Sequence, residues 1–491
     1  MLDQSRTKTA DRTKGPNVIT EFRRKRVLFR PKPISLLRLL PLAILAISCP
    51  LYYYRFNLGL PFAVTLTRCA LLLALVCPKP SGLPRQRRLP PSSCFALVCA
   101  AAFLMFSAVQ AARAEVDQAT AWRLVGITIE GAILCAVLVS WVRSAELARH
   151  AMRCFVLGAV LPTFIAVYQY FQYVSTGVVP RAFLSATVDP YLAYAHDQEL
   201  QGGLNFTQTG GVVFPRLASS MQDPNWFGIF LAFELLFVFS LSIGRRSPQR
   251  ALGAAIVALL SVLMFLTLSR SAWFGLLVGA SYLIGHHVRR NPAFRKGLVK
   301  MAMLLLLAGV GIIYPTLNHY ELLEPTGRLI EGRLGSDNVK SGFEQRDHFF
   351  SGGWKAFTQN PLIGIGKGNL ISYTGFPTAH NFFLTRLGED GLIGLTLSSC
   401  VLLSLWFGLG PACRDSTNGT LQSTAVGLRA ALLALASANL FYDHLLNLEI
   451  NFFVLGLGFA VARLDSIRRS TRIDARRPIV PCTRELRGRR I

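Results

Sequence analysis

Residues 251–288 decide the fold class, and they read ALGAAIVALLSVLMFLTLSRSAWFGLLVGASYLIGHHV. Apart from Arg270 and a pair of histidines near the end, the stretch is apolar or uncharged. A helix that crosses the hydrocarbon of a membrane needs about 20 apolar residues, so this stretch is too long for one crossing and about right for two. The polar break at 267–271 therefore predicts a tight connection between two transmembrane helices.

Apolar stretches of similar length recur along the whole chain of 491 residues, of which 52% are hydrophobic and 16% charged. They predict an all-α polytopic membrane protein with about twelve transmembrane helices. The membrane domain is expected at 34–464, with basic tails at 1–33 and 465–491. The helices are expected near 35–54, 57–77, 93–112, 120–142, 151–173, 224–243, 251–269, 272–288, 300–317, 391–410, 421–441 and 448–464.

The net charge of +26 follows the pattern of a membrane protein. Lys and Arg concentrate in the tails and in alternate short loops, which predicts that both termini are cytoplasmic and touch membrane lipids. No nucleic-acid recognition motif accompanies the charge, so nucleic acid is not an expected partner. With this topology, two long loops, at 174–223 and 318–390, lie outside the cytoplasm. Loops of such length in a compact membrane domain are usually functional.

Two arginines are candidates for binding phosphate, because a guanidinium can hold it through two parallel hydrogen bonds. The break at 267–271 places Arg270 at the outer face of the membrane, where it either binds a lipid-linked phosphate or snorkels to bulk lipid. Arg346 begins an amphipathic segment that Pro361 ends, and it either faces a second phosphate or is a solvated loop charge.

The segment 344–391 holds the other candidates. His380 can accept a proton near neutral pH, although a lone histidine is more often structural. Glu389, nine residues later, is expected on the same helical face, where it could orient the imidazole. Lys367 lies in a glycine-rich stretch that favours a simple turn over an anion-binding loop. No metal-binding motif is present, and neither a metal nor another cofactor is expected.

Four segments, in this order and spacing, resemble the O-antigen ligase and polysaccharide polymerase family of bacteria. Two are 267–273 (TLSRSAW) and 346–369, which contains NPLIGIG. The third runs from His380-Asn381 to the Gly391-Leu-Ile-Gly394 motif, and Arg216 with Asp223-Pro224-Asn225 is a looser fourth. The likeness covers about 210–400. The resemblance makes Arg216 and Asn381 candidate substrate-binding residues, in addition to Lys367.

The resemblance implies a GT-C-like membrane glycosyltransferase with a long periplasmic loop between helices nine and ten. Such proteins move a glycan from an undecaprenyl-diphosphate carrier to an acceptor at the periplasmic face of the inner membrane, without a metal. By the same resemblance, Arg270 and Arg346 contact the diphosphate and His380 is the base. The partners implied are the lipid-linked oligosaccharide, a glycan or lipid A–core acceptor, and other polysaccharide-assembly proteins.

Three functions stay open at this point. The short stretch 368–380 and the long tails favour a polymerase, which extends a lipid-linked glycan. An O-antigen ligase acting on lipid A–core is the first alternative. A transporter or flippase of lipid-linked oligosaccharide is the second, and it predicts paired charges near the bilayer centre and two related halves.

Overall fold

A computed structural model describes residues 36–51, 55–56, 64–77, 91–116, 118–176, 206–209, 212–221, 223–242, 247–290, 292, 336–376, 378–415, 418–443 and 449–476. The helix expected at 300–317 lies outside the described residues, as do both ends of the chain.

In its described residues, the first part of the chain contains six helices, with one short antiparallel strand pair between the first two helices and another after the sixth. The helices are α1 (Leu36–Ser48), α2 (Leu66–Val76), α3 (Pro91–Ala112), α4 (Gln118–Trp141), α5 (Ala145–Gly158) and α6 (Val160–Thr176). Strand β1 (Arg55–Phe56) pairs antiparallel with β2 (Val64–Thr65), and β3 (Phe206–Thr209) pairs antiparallel with β4 (Val212–Pro215). Short 3-10 turns occupy Cys49–Leu51 and Ser219–Met221.

The second part contains the remaining helices. They are α7 (Pro224–Ser242), α8 (Ser247–Leu266), α9 (Arg270–Arg290), α10 (Ser336–Gln359), α11 (Ile371–Thr374), α12 (Phe382–Asp415), α13 (Gly419–Ala438) and α14 (Glu449–Arg476). The amphipathic segment predicted at 346–357 lies within α10, which ends two residues before Pro361.

The chain is a polytopic α-helical membrane protein. Seven helical segments of the described part are long and apolar enough to cross a membrane, and shorter apolar helices accompany them at Leu39–Leu51, Leu66–Val76 and Ala251–Leu266. One of the seven joins α5 and α6 into a single segment, Ala145–Gln172. The connection expected between the helices at 120–142 and 151–173 is therefore shorter than predicted, because its polar residues form the first turns of α5.

The core forms around α7 and α13, most of whose residues are buried. Aromatic rings fill the space between α5, α7 and α14. The ring of Phe155 stacks on Phe453 with centroids 4.5 Å apart and meets Phe237 edge-on at 5.7 Å. Edge-on and offset contacts of this kind stabilise a pair beyond the area that it buries.

Small residues bring α9 and α13 close together. A Cβ on Gly275 would lie 2.7 Å from the Ala434 carbonyl, and one on Gly279 would lie 2.7 Å from the Ala430 carbonyl. Small residues four apart on both helices allow this close approach, as is common between membrane helices. The contact fixes α9 along its length, and therefore fixes Arg270 at its start and Arg290 at its end.

Helix α12 has a kink at Gly391, whose φ of 64° is left-handed. At the kink, backbone N–H and carbonyl groups lose their helical partners, and the loop 361–366 forms hydrogen bonds with them instead. From N–H to carbonyl they are Ile365 to Gly388, Gly366 to Glu389, Leu392 to Pro361 and Ile393 to Leu362. The non-helical backbone at Gly391 separates two helical segments, so the start of the helix expected at 391–410 is confirmed, whereas the part of α12 before Gly391 was not predicted.

Candidate functional site

Arg216 anchors the turn that carries Arg270. Its Nε donates to the Thr267 carbonyl at 3.1 Å and its Nη2 donates to Asn225 Oδ1 at 3.0 Å. The Ser269 hydroxyl donates to the same oxygen at 2.8 Å. These bonds hold the α8–α9 connection against the start of α7. The contacts of Arg216 are therefore structural.

Asp223 and Pro224 lie at the start of α7, where the helix near 224–243 is expected. Pro224 is the first helical residue, where its missing N–H costs nothing. The Asp223 carboxylate accepts the N–H of Asn225 at 2.6 Å, which satisfies one donor of the first turn.

Arg270 and Arg346 are neighbouring like charges, and both are half-buried. Burial lowers the pKa of Arg346, and the nearby Arg270 lowers it further. Among the described residues, neither guanidinium has a hydrogen bond or a carboxylate partner, and Arg346 packs over the ring of Phe441 at 5.9 Å. Two buried cations without a counter-ion are costly to hold together, and a bound anion removes that cost. The pair can therefore attract a multiply charged anion.

His380 lies beside this pair in an aromatic pocket. Its ring is 4.9 Å from Phe376 and 4.7 Å from Phe349 between centroids. Burial first, and Arg346 second, lowers the pKa of His380 to about 4. The imidazole is therefore neutral at pH 7 and can accept a proton.

The backbone of His380 is also unusual, because its φ of 49° is left-handed. That conformation costs a residue with a Cβ about 1 kcal/mol. The neighbouring Asn381 caps α12: its Oδ1 accepts the N–H of Leu384 at 2.9 Å and its Nδ2 donates to the Leu440 carbonyl at 2.8 Å. The cap ties the histidine segment to the end of α13, and the substrate contact expected of Asn381 stays a prediction.

Tyr442 connects the histidine pocket to the start of α7. Its hydroxyl donates a hydrogen bond to Oδ2 of Asp223, and its ring lies 6.2 Å from the ring of His380. Burial raises the pKa of Tyr442 well above its ordinary value, so the phenol keeps its proton. Sequence reasoning missed this residue, since it follows the helix expected at 421–441 and belongs to no motif.

A separate buried cluster contains Lys367, Arg386, Glu389, Asp390 and Asp443, all less than 10% exposed. Arg386 Nη1 lies 2.6 Å from Asp390 Oδ2, and Lys367 Nζ lies 3.7 Å from the same oxygen. Burial lowers the pKa of Lys367, followed by the charge of Arg386. Lys367, expected to bind substrate, is thus enclosed in an ionic network beneath the loop.

Glu389 belongs to this cluster. Its Oε1 accepts the Gly368 N–H at 2.8 Å, and its Oε2 lies 3.7 Å from Arg386. The shared helical face expected for Glu389 and His380 does not exist, since His380 precedes α12. No hydrogen bond or ion pair joins the two in the described part of the chain.

The glycine-rich stretch forms the turn that the sequence favours. Gly364, Gly366 and Gly368 all have a positive φ. Asn369 stabilises the turn: its Oδ1 accepts the N–H of Glu115 at 2.9 Å, and its Nδ2 donates to the Ile365 carbonyl at 2.8 Å. Within the described residues, no group of three or more His, Cys, Asp or Glu side chains could hold a metal.

Residues 228–398 match the family model described as O-antigen ligase. This part of the chain is similar to an O-antigen ligase domain. A domain of this kind supports glycan transfer of the ligase or polymerase type in general. Comparison of the chain with curated proteins gives no match.

The matched residues include the arginine pair, His380 and the buried ionic cluster except for Asp443. Arg216, Asp223 and Tyr442 lie outside the matched residues, although they contact the same site. Segments on either side of the matched residues therefore also contribute contacts around the site.

Proposed function

We propose that the chain transfers a glycan from an undecaprenyl-diphosphate carrier to a sugar hydroxyl, with Arg270 and Arg346 holding the diphosphate. The observation that carries this proposal is the pair of half-buried guanidiniums without a carboxylate partner beside a neutral imidazole. A diphosphate supplies the negative charge that the pair lacks, and each guanidinium can hold it through two hydrogen bonds.

In the proposed reaction His380 accepts the proton of the acceptor hydroxyl. The acceptor oxygen forms a bond to the anomeric carbon of the donor glycan, and the bond from that carbon to the diphosphate breaks. Negative charge develops on the departing diphosphate, and the two guanidiniums stabilise it. A positioned base contributes about 10²–10⁴-fold to such a step.

The other residues act through these three. Tyr442 and Asp223 are positioning residues that hold the His380 pocket against the start of α7. Glu389, expected as a partner of His380, is proposed instead to position the turn at Gly368. Asn381 positions His380 through the cap of α12.

We propose a polymerase, in which the acceptor is the next lipid-linked glycan unit; the short stretch 368–380 and the long tails favour it. A ligase acting on lipid A–core uses the same chemistry with a different acceptor. Either reaction takes place at the periplasmic face of the inner membrane if both termini are cytoplasmic, as the charge pattern predicts.

A transporter of lipid-linked oligosaccharide is the alternative from another class. One ion pair inside the predicted spans fits a transporter. In this pair, Arg68 Nη2 lies 2.8 Å from Glu130 Oε2. Both side chains are partly exposed, and the pair joins α2 to α4, which fits a structural contact better than a transport path.

Deletion of the gene, followed by complementation, tests the proposal. Variants His380→Ala, Arg270→Ala and Arg346→Ala are compared with wild type for surface glycans and carrier-linked intermediates. Single units on the acceptor indicate a lost polymerase, and long chains retained on the carrier indicate a lost ligase. Wild-type glycans in all three variants overturn the assignment, and loss of glycan export without loss of transfer in vitro indicates a transporter.

A further inference from the structure

A second group of cations lies at the far end of the bundle from His380. Helix α9 runs from Arg270 to Arg290, so its two ends are about 30 Å apart. Helix α12 likewise starts beside His380 and ends near Arg414. The Arg290 Nη2 donates to the Arg414 carbonyl at 2.6 Å, which ties these two helix ends together.

Arg429 extends this group into the bundle. It is about ten residues from either end of α13, a depth at which an arginine in a membrane protein normally has a partner. Its guanidinium carbon lies 3.6 Å from the Trp406 ring centroid, and its Nη1 donates to the Tyr282 hydroxyl at 3.1 Å. These contacts orient the cation and leave its charge uncompensated, and its buried Nε has no hydrogen-bond partner.

Gly410 leaves a gap between two of these guanidiniums. A Cβ at Gly410 would lie 3.7 Å from Arg414 Nη2 and 3.9 Å from Arg429 Nη1. His286 is within electrostatic range of Arg290 and Arg429. In the part of the chain that the structure describes, no aspartate or glutamate forms an ion pair with Arg290, Arg414 or Arg429.

The face of α12 that carries Gly410 and Arg414 is apolar on the N-terminal side of Gly410. Leu403, Phe407, Gly410 and Arg414 follow one another at spacings of four, three and four residues, which places them on one helix face. Phe407 is 68% exposed and Leu403 51% exposed. A cationic gap therefore continues into an exposed apolar strip on a single helix.

We propose that this face binds an anionic phospholipid, with its phosphate over Gly410 between Arg414 and Arg429 and an acyl chain along Phe407 and Leu403. A phosphate oxygen can accept from both guanidiniums, and the apolar strip favours a lipid over a soluble phosphate. Cations at the C-terminal ends of helices also complement the helix dipole. That effect reaches only the last turn of a helix and does not account for Arg429, which lies in the middle of α13.

The proposal is tested with the full chain in detergent by native mass spectrometry, using phosphatidylglycerol as the probe and phosphatidylcholine as the reference lipid. The double variant Arg414→Gln/Arg429→Gln is expected to bind phosphatidylglycerol about 30-fold more weakly, at about five-fold per arginine. Gly410→Leu keeps both charges and fills the gap, so it is expected to weaken binding as well. If the double variant does not fold, Gly410→Leu alone tests the proposal.

Arg289→Gln is the matched control, since it removes an exposed charge from the same helix end. It is expected to bind the probe like wild type. Equal binding by wild type and Gly410→Leu, or an equal loss in Arg289→Gln, overturns the site. Glycerol phosphate at a hundredfold excess is expected to leave the bound lipid in place. Displacement by it would contradict the lipid assignment and identify the ligand as a soluble phosphate.

Discussion

The Arg346 guanidinium lies close enough to the His380 imidazole to lower its pKa, although burial of the imidazole contributes more. The same arginine is held beside Arg270. One cation thus takes part in both halves of the candidate site: it adds to the charge that attracts an anion, and it keeps the neighbouring base unprotonated.

The pH profile of transfer is expected to depend on Arg346. Because the pKa of His380 is about 4, the base form persists as pH falls from 7, and kcat/KM declines only below about pH 5. Arg346→Gln removes one cause of the lowered pKa, so the acid limb should move to higher pH, towards the ordinary value of 6.5. Arg289→Gln should leave the limb in place. An acid limb that does not move in Arg346→Gln contradicts the proposed contact.

The arginine pair is expected to strengthen donor binding and to lower the stability of the chain without donor. Arg270→Gln and Arg346→Gln should each weaken donor binding by about 10- to 100-fold, because a hydrogen bond to a charged group contributes about 1.5–3 kcal/mol. Without donor, each variant should unfold at the same temperature as wild type or higher, since a like-charge contact is removed. Thermal unfolding with and without donor measures both effects. Lower stability without donor, together with unchanged donor affinity, would point to a structural role.

Tyr442 and Asp223 are expected to behave as a coupled pair. Tyr442→Phe removes the hydroxyl and leaves the buried carboxylate short of a donor, which should cost about 1–3 kcal/mol. Asp223→Asn should cost less, because an amide oxygen still accepts from the phenol. A double-mutant cycle on the free energy of unfolding should give a coupling of about 0.5–3 kcal/mol. Strictly additive losses would show that the contact does not contribute.

The glycine turn gives a test of the fold with an internal control. Gly364 has a φ of 71°, and a Cβ there would collide with the Glu389 carbonyl. Gly364→Ala should therefore destabilise the chain by more than the roughly 1–2 kcal/mol of a left-handed alanine. Gly375 has a φ of 66° with open space around its Cβ position, so Gly375→Ala should show the backbone cost alone. Equal losses in unfolding experiments would mean that the turn does not pack against α12.

Local patterns predicted several elements correctly. The polar break at 267–271 predicted the α8–α9 connection, and the apolar stretch at 224–243 predicted α7. The amphipathic segment predicted after Arg346 lies within helix α10. Each of these features depends on neighbours within a few residues, which is why the sequence carries them.

Contacts between distant segments could not be predicted in this way. The loop 361–366 bonds to the kink of α12 across more than twenty residues of chain, and no local pattern predicted that contact. Glu389 likewise bonds to the distant Gly368, so its spacing from His380 had no predictive value. Tyr442 meets Asp223 only because α7 and α13 pack side by side.

The most direct test of the proposed mechanism is single-turnover glycan transfer by the purified chain with an undecaprenyl-diphosphate-linked donor. His380→Ala is expected to slow the transfer step by about 10²–10⁴-fold. Its donor affinity should stay within about twofold of wild type, because Arg270 and Arg346 remain in place to bind the diphosphate. A transfer rate equal to that of wild type would show that His380 is not the base.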